Sequence, residues 1–246
     1  MDFQQFTALG DSIRATYRAE NFNEALFPEI AAKALAQADL KTEFELDTVA
    51  DFLLNTNIAQ QAGLKFSNLP PVVYRCEEFY IEMLVWMDAT TSIHQHAFSG
   101  AFRVLKGSSL HSTYDFNERE KISSRLLLGE VTFKGCDVLK AGDVQPIHSG
   151  RDGLLHALFH LEQPSVTLVV RTNSDPWARP QYALFPPNIA YAAADLGRDS
   201  TILLLGKVLE VAAGLDRQKC VDLFVEKVSQ LDFPRLFAMY RSYNHY

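Results

Sequence analysis

Apolar residues in the first quarter of the chain recur every three or four positions, which is the period of an α-helix. Two such stripes are present, one of Phe3, Phe6, Leu9 and Ile13 and one of Phe27, Ile30, Ala31 and Leu35. A third helix is expected from Thr48 to Ile58, with a cap at Asp47. The pattern therefore predicts an N-terminal helical segment over residues 1–68.

The pattern changes at Leu69-Pro70-Pro71, where short apolar and β-branched runs separated by Gly, Asp and Asn replace the helical spacing. Such runs are typical of β-strands joined by turns. We predict strands near residues 72–76, 79–87, 91–96, 100–106, 109–116, 125–134, 153–161 and 165–172. About eight short strands in about 100 residues favour a closed antiparallel barrel or jelly roll. The chain is predicted to be mainly β, with the barrel over residues 69–195.

The residues after the last of these strands divide into two parts. Residues 174–190 are rich in proline and lack a regular period, so we predict an extended loop there, with a lid as one interpretation. Helical spacing returns from about Asp199, and two further helices are expected near residues 217–230 and 233–243. Residues 196–246 are thus predicted to form a C-terminal helical segment.

Composition and charge narrow the classes of function. The net charge is −7 and no cluster of lysine and arginine stands out, which disfavours a nucleic-acid partner. No run of about 18 apolar residues is present, so we expect no membrane partner. The cysteines Cys76, Cys136 and Cys220 are odd in number and far apart, which suggests a reducing compartment rather than a disulfide framework. We therefore expect a cytoplasmic protein.

Two histidines two residues apart carry the clearest chemical signal. His94 and His96 lie in a predicted strand, where residues i and i+2 project from the same face. Two imidazoles so placed can ligate one metal ion at about 2.0–2.1 Å. A third ligand has to come from another strand, and His156 and His160 are the candidates. We favour His156, because the glycine-rich turn before it would place it near the barrel mouth.

The spacing around these histidines resembles the first motif of the cupin superfamily. In that motif His-x-His precedes a Glu ligand and, six residues later, a Gly; here Gly100 and Gly107 occupy those two positions. The second motif is matched more loosely, by Gly142, Gly150 and His156. The resemblance covers about residues 72–173. It implies a cupin jelly-roll barrel flanked by N- and C-terminal helices.

The missing Glu changes the charge that the resemblance implies. Three neutral imidazoles leave a divalent ion with a net charge of about +2, which favours an anionic ligand. Three-histidine cupins are similar to the thiol dioxygenases, and Ile93-His94-Gln95-His96 most resembles cysteine dioxygenase. That family implies Fe(II), with Zn, Ni or Mn as alternatives, and a small-molecule substrate together with O₂. Its cross-linking Cys and its Ser-x-His-x-Tyr triad have no counterpart here, so the resemblance leaves the substrate open.

Several polar residues near the predicted barrel are further candidates for the site. Arg103 and Arg171 lie in apolar strands, where an inward arginine would clamp a substrate carboxylate and an outward one would face solvent. We select Arg103 and His148 as the catalytic residues that orient the substrate's acid group. Glu82, His111 and His160 stay open as further members of the site.

The leading functional hypothesis is a mononuclear non-haem iron oxygenase that acts on a small anionic substrate. One alternative is a non-redox isomerase or lyase, in which the metal acts as a Lewis acid. Another is a cupin that binds a small molecule without turnover. A homodimer is expected only by analogy with other barrels of this kind.

Overall fold

The computed structural model describes residues 2–41, 43–61, 67–87, 90–122, 126–150, 153–173, 181–191 and 200–231. The helices in these ranges are α1 (Gln4–Ala19), α2 (Phe27–Gln37), α3 (Leu46–Asn55), α4 (Ser200–Leu215) and α5 (Arg217–Glu226), with 3₁₀ turns at Glu24–Leu26 and Val228–Gln230. The strands are β1 (Val72–Arg75), β2 (Phe79–Trp86), β3 (Ile93–Gln95), β4 (Gly100–Lys106), β5 (Ser108–Lys121), β6 (Leu126–Lys140), β7 (Val144–Ile147), β8 (Leu155–His160), β9 (Ser165–Thr172), β10 (Ala183–Phe185) and β11 (Ile189–Tyr191).

The N-terminal helices form where the apolar stripes predict them. Phe6 and Ile13 of α1 are fully buried, as are Phe27 and Leu35 of α2. The expected cap at Asp47 is wrong: α3 already begins at Leu46, after an extended residue whose side chain makes no capping bond. No helix within the described ranges is long and apolar enough to cross a membrane.

The strands form two antiparallel sheets whose order identifies the fold. The first sheet runs β1-β2-β9-β4-β7, and the second runs β10-β11-β6-β5-β8-β3 and closes through β3 and β10. Without the peripheral β1, β10 and β11, the orders are β2-β9-β4-β7 and β3-β8-β5-β6. This is the strand order of a jelly roll, the arrangement that cupins use. The predicted fold class, a mainly β chain with a jelly-roll barrel and flanking helices, is confirmed.

The first sheet is buried on both faces. Alternate residues of β2, such as Phe79 and Met83, join α1, α2, α3 and α4 in one hydrophobic core outside the barrel. The residues between them, such as Leu84 and Trp86, belong to a second core inside the barrel. Side chains alternate between the two faces of a strand. Every second residue of this sheet therefore faces the helices, and the residues between them face the barrel interior.

The region predicted to be a loop contains two strands instead. Within the described residues 181–191, β10 and β11 form a hairpin. β10 pairs with β3 at His94, and β11 pairs with β6. Proline prevents a long regular run, but a three-residue strand fits before Pro186 and another follows Pro187. The short strand β7 was also missing from the prediction, and the helix expected at 233–243 lies outside the described residues.

Gly100 stands at a point where the backbones of two strands approach closely. It pairs with Ile147 of β7 on one side and with Arg171 of β9 on the other. A Cβ atom at this position would lie 1.9 Å from the carbonyl oxygen of Val170. No side chain fits in such a space. The backbone therefore excludes a Glu ligand at the position where the cupin motif would carry one.

We predict that Gly100→Ala lowers the free energy of unfolding by at least about 1–3 kcal/mol, because the added methyl group forces β4 and β9 apart. Gly135→Ala is the matched control, since a Cβ atom there meets nothing within 4 Å. We expect that control to stay within about 0.5 kcal/mol of the parent. Urea unfolding of the three proteins measures the difference, and equal stabilities would contradict the close approach at Gly100.

Candidate metal centre

The structure brings the three predicted metal ligands together inside the barrel. His94 of β3 and His156 of β8 are direct cross-strand partners, and His96 follows β3 by one residue. All three side chains are buried. β3 is only three residues long, but it is held by β8 on one side and by β10 on the other. The hairpin that was missing from the sequence prediction therefore fixes the strand that carries His94.

The spacing of the imidazole nitrogens fits a divalent metal. Nε2 of His156 lies 3.0 Å from Nε2 of His96 and 3.1 Å from Nε2 of His94. Among the described His, Cys, Asp and Glu residues, these three form the group whose donor atoms lie within 4.8 Å of one another. Two nitrogens about 2.1 Å from one ion would be about 3.0 Å apart at a right angle. The donor set and its spacing thus match a three-histidine site.

Hydrogen bonds of the outer ring nitrogens of His94 and His156 favour the protonation states that a metal needs. Nδ1 of His94 lies 2.8 Å from the carbonyl oxygen of Ser92. A carbonyl only accepts, so Nδ1 donates the proton and Nε2 presents its lone pair to the centre. Nδ1 of His156 lies 2.9 Å from Nε2 of His111. When His156 donates along this contact, its own Nε2 is also free to bind a metal.

Burial keeps these imidazoles neutral. It lowers the pKa of His94 to about 4, and it lowers the pKa values of His96 and His156 well below the ordinary 6.5. The neighbouring histidines lower the pKa of His156 further, because each protonated ring would repel the next. Neutral imidazole is the form that ligates metals, so the cluster is in the ligating form at neutral pH.

The three histidines open onto a small, mostly apolar cavity. The cavity volume is about 40 Å³. One water needs about 10–15 Å³, so the cavity suits a ligand of a few non-hydrogen atoms. The lining residues in the described part of the chain, besides the histidines, are Glu82, Leu84, Trp86, Phe98, Phe102, Ile147, Leu158, Thr167, Val169, Arg171 and Gln181.

Glu82 and Arg171 form a buried ion pair in this cavity. Nη1 of Arg171 donates to Oε1 of Glu82 at 2.8 Å, and the two side chains are 13% and 2% exposed. The guanidinium also lies 3.7 Å from the ring centre of Phe98. The sequence leaves Glu82 open as a metal ligand, but its carboxylate lies outside the three-histidine group and accepts from Arg171. The alternation of residues in the sequence separates the two faces of a strand, but it does not show that Glu82 and Arg171 lie on the inward face.

His111 and His160 both point into the barrel but have different partners. Nε2 of His111 contacts Nδ1 of His156, the ring nitrogen on the far side from the nitrogen that would bind the metal. His160 accepts from or donates to the Ser109 hydroxyl at 2.8 Å and stacks on Trp86 at a centroid distance of 4.8 Å. Ser109 and His111 lie two residues apart in β5, which is the feature of the sequence that places them on one strand face.

The two residues selected as catalytic lie away from the cavity lining. Arg103 is adjacent to Phe102 in β4, so its side chain lies on the opposite face of the sheet from Phe102. Its Nη1 donates to the carbonyls of Leu35 and Ala38 at 2.7 Å each. It therefore caps the C-terminal end of α2 on the outer face of the sheet. His148 is half exposed and lies 3.4 Å from a carboxylate oxygen of Glu29. Catalytic roles for both residues stay predictions.

We predict that the metal-free protein loses stability as the pH falls below about 6.5. The pKa values of His94 and His160 fall from 6.5 to about 4 on folding, so the unfolded chain binds more protons in that interval. Their contribution is complete above pH 6.5 and is lost as the pH approaches 4, at up to about 1.4 kcal/mol per pH unit for each histidine. Denaturant unfolding of chelator-treated protein measures this slope. A free energy of unfolding that stays constant across the interval would contradict it.

We predict that Arg103→Gln lowers the free energy of unfolding by about 1–3 kcal/mol, because two charge-assisted hydrogen bonds to α2 are lost. The metal content is expected to be unchanged. Arg119→Gln is the matched control, since Arg119 forms an exposed ion pair with Glu130, and it should cost no more than about 1 kcal/mol. Thermal and urea unfolding provide the comparison. Unchanged stability of Arg103→Gln would contradict the capping role and favour Arg103 as a substrate-binding group instead.

Comparisons with known proteins support no family assignment. No protein-family model matches the chain, and no curated protein matches it. Among solved structures, hydroquinone 1,2-dioxygenase from Sphingomonas sp. TTNP3 is 16% identical, with a TM-score of 0.34 and coverage of 55% of this chain and 75% of that one.

Two further solved structures show a similar level of likeness. A cupin-2 domain protein from Shewanella frigidimarina is 14% identical, with a TM-score of 0.30 and coverage of 54% and 96% of the two chains. An oxalate oxidase is 16% identical, with a TM-score of 0.29 and coverage of 78% and 85%. At these values the neighbours carry no argument about activity. The fold assignment rests on the strand order of this chain.

Proposed function

We propose that this protein is a mononuclear non-haem iron oxygenase that acts on a small anionic substrate. The observation that carries the proposal is the convergence of three buried imidazoles, with Nε2 separations of 3.0 and 3.1 Å from His156. His94, His96 and His156 would hold the ion. When bound, iron would supply the coordination positions and the redox chemistry that protein side chains lack.

The donor set supports a divalent metal with positions left open for exogenous ligands. Nε2 of His156 lies 3.0 and 3.1 Å from Nε2 of His96 and His94. Two nitrogens bound to one ion at about 2.1 Å can be no more than about 4.2 Å apart, so both separations are compatible with a shared ion. Imidazole ligands suit iron as well as zinc, copper and nickel. Three protein ligands would leave coordination positions for a substrate and O₂.

The charge of the cavity supports an anionic donor group on the substrate. Three neutral imidazoles leave the charge of a divalent ion uncompensated. Glu82 and Arg171 add no net charge, because they neutralise each other. An isolated positive charge is costly in a cavity walled by Phe98, Phe102 and Leu158. A thiolate, carboxylate or enolate would offset that charge on binding.

The remaining residues of the chain would orient the substrate and exclude water. The aromatic and aliphatic wall limits the number of waters beside the reacting groups, which strengthens electrostatic contacts there. His111 would hold the ring of His156 in position through its contact with Nδ1 of His156. Such partners of ligating histidines fix the tautomer and orientation of the ring.

We predict that protein reconstituted anaerobically with Fe(II) binds about one iron per chain and that His96→Ala abolishes most of this binding, because one of three ligands is lost. His148→Ala is the matched control, since His148 is half exposed and lies away from the cavity lining. Elemental analysis of the three proteins measures the stoichiometry. Iron content in His96→Ala equal to that of the parent would refute the three-histidine site.

Oxygen uptake by the iron-loaded protein separates the redox and non-redox hypotheses. We would screen small thiols and β-diketones, which offer thiolate and enolate donors. Tight iron binding without substrate-dependent oxygen consumption would count against an oxygenase. Zinc, nickel or manganese as the metal found in protein from unsupplemented cells would favour Lewis-acid catalysis instead.

A further inference from the structure

The three candidate ligands differ in what supports the ring nitrogen that faces away from the metal centre. Nδ1 of His94 lies 2.8 Å from the carbonyl oxygen of Ser92. Nδ1 of His96 is buried and has no hydrogen-bond partner among the described residues. Nδ1 of His156 lies 2.9 Å from Nε2 of His111. The partner of His156 is thus a second imidazole, which can transmit the influence of a further residue.

The contact between the two imidazoles has one proton arrangement that suits a bound metal. A neutral His156 that offers the lone pair of Nε2 to a metal carries its proton on Nδ1, so it donates to Nε2 of His111. Because Nε2 of His111 then accepts, the neutral His111 ring carries its own proton on Nδ1. That N–H group is a second donor, and it needs an acceptor on the far side of His111 from His156.

Asp137 stands where it can be that acceptor. It is directly opposite His111 in the pairing of β5 with β6. Opposite residues of an antiparallel pair project from the same face, with Cβ atoms about 4.5–5.5 Å apart, so the carboxylate is within reach of the His111 ring. Asp137 is exposed, and a change of its rotamer displaces no buried group. Its charge already acts on His111: burial lowers the pKa of His111, and the Asp137 carboxylate raises it.

The neighbours of His111 on its other sides carry no charge. Leu158 of β8 is its opposite residue on the other side of β5. The ring of Phe102 lies edge-on to His111, at a centroid distance of 6.2 Å. Ser109, two residues earlier on the same face of β5, lies with its hydroxyl 2.8 Å from another histidine. Asp137 is therefore the anionic acceptor among these neighbours.

We propose that Asp137 and His111 form a relay that strengthens His156 as a metal ligand. The carboxylate of Asp137 accepts from Nδ1 of His111, and Nε2 of His111 accepts from Nδ1 of His156. A carboxylate at the end of such a chain fixes the orientation of the ligating imidazole and makes it more basic. The ligands themselves stay neutral. The relay places a negative charge outside the ligand set, whereas Gly100 provides none at the Glu position of the cupin motif.

This inference rests on the proposed function only because it takes the three histidines as metal ligands. It applies to any divalent ion at the centre and does not depend on oxygen chemistry. Asp137 is a positioning residue, since it acts through His111 and touches neither metal nor substrate. Zinc(II) is the suitable probe, because its binding involves no redox step. Competition with a chelator of known affinity measures zinc binding without any turnover.

Replacing Asp137 and His111 separately and together tests whether they act as one unit. We expect His111→Leu to weaken zinc binding by about 10–100-fold, the usual cost of losing the partner of a ligating histidine. Asp137→Ala should weaken it by about tenfold, because the carboxylate is one step further from the metal. In the His111→Leu background, Asp137→Ala should cost nothing further, since its effect is transmitted through His111.

The tautomer of His111 is a second readout, which a purely structural role would not change. Long-range ¹H–¹⁵N NMR spectra of the zinc-loaded protein show which nitrogen of each imidazole carries the proton. We expect His111 to carry it on Nδ1 in the parent protein. A proton on Nε2 would refute the relay, because His156 could then not donate to that nitrogen. This measurement needs no variant, so it decides the proposal even if His111→Leu does not fold.

Asp115→Ala is the matched control for the loss of charge. Asp115 is an exposed carboxylate on the same strand as His111 and forms an ion pair with Lys134. Its replacement removes the same charge as Asp137→Ala and should leave the zinc affinity within about twofold of the parent, because exposed charges are screened.

The outcomes separate this inference from the proposed function. Failure of the parent protein to bind zinc would overturn the metal site and the relay together. Zinc binding by Asp137→Ala with the parent affinity would overturn the relay alone. The relay would also be overturned if Asp137→Ala cost as much in the His111→Leu background as in the parent, or if Asp115→Ala cost as much as Asp137→Ala. Either result would show an effect of charge that does not pass through His111.

Discussion

The arrangement of this molecule depends on a sheet that is buried on both faces. In the first sheet, every second side chain packs against the helices and the side chains between them face the barrel interior. This alternation sorts the two arginines of the apolar strands. Arg103 points outward and caps α2, whereas Arg171 points inward and pairs with Glu82. The burial of this sheet on both faces thus places Arg103 in a contact that stabilises the fold and Arg171 in the cavity.

A close approach of two strands in this sheet shapes the candidate metal centre. The backbone of β9 approaches β4 so closely that position 100 accepts only glycine, and a carboxylate ligand is excluded there. The donors that remain are three neutral imidazoles, which are kept neutral by burial. A metal at this centre would keep its full charge, and the neutral Glu82–Arg171 pair would not reduce it. The absence of a side chain at position 100 would therefore change the class of ligand that the proposed metal centre favours.

The elements with a strong local pattern were predictable. The helical stripes around Phe6 and Phe27 and eight of the strands follow from hydrophobic periodicity, since that periodicity reflects a buried face. The elements without such a pattern were not. β10 and β11 flank the Pro186-Pro187 pair and are three residues each, too short for an alternation to show. They exist because their backbone groups pair with β3 and β6.

The candidate site also has residues that the sequence could predict and residues that it could not. The sequence by itself predicted that His94 and His96 share one face, because they lie two residues apart in a predicted strand, and it favoured His156 over His160 as their partner. Only the tertiary structure decided that His111 supports His156 and that Arg171 rather than Arg103 enters the cavity. A strand pattern defines two faces but does not say which of them is inside. That choice depends on which neighbouring sheets and helices cover each face, and these come from distant parts of the chain.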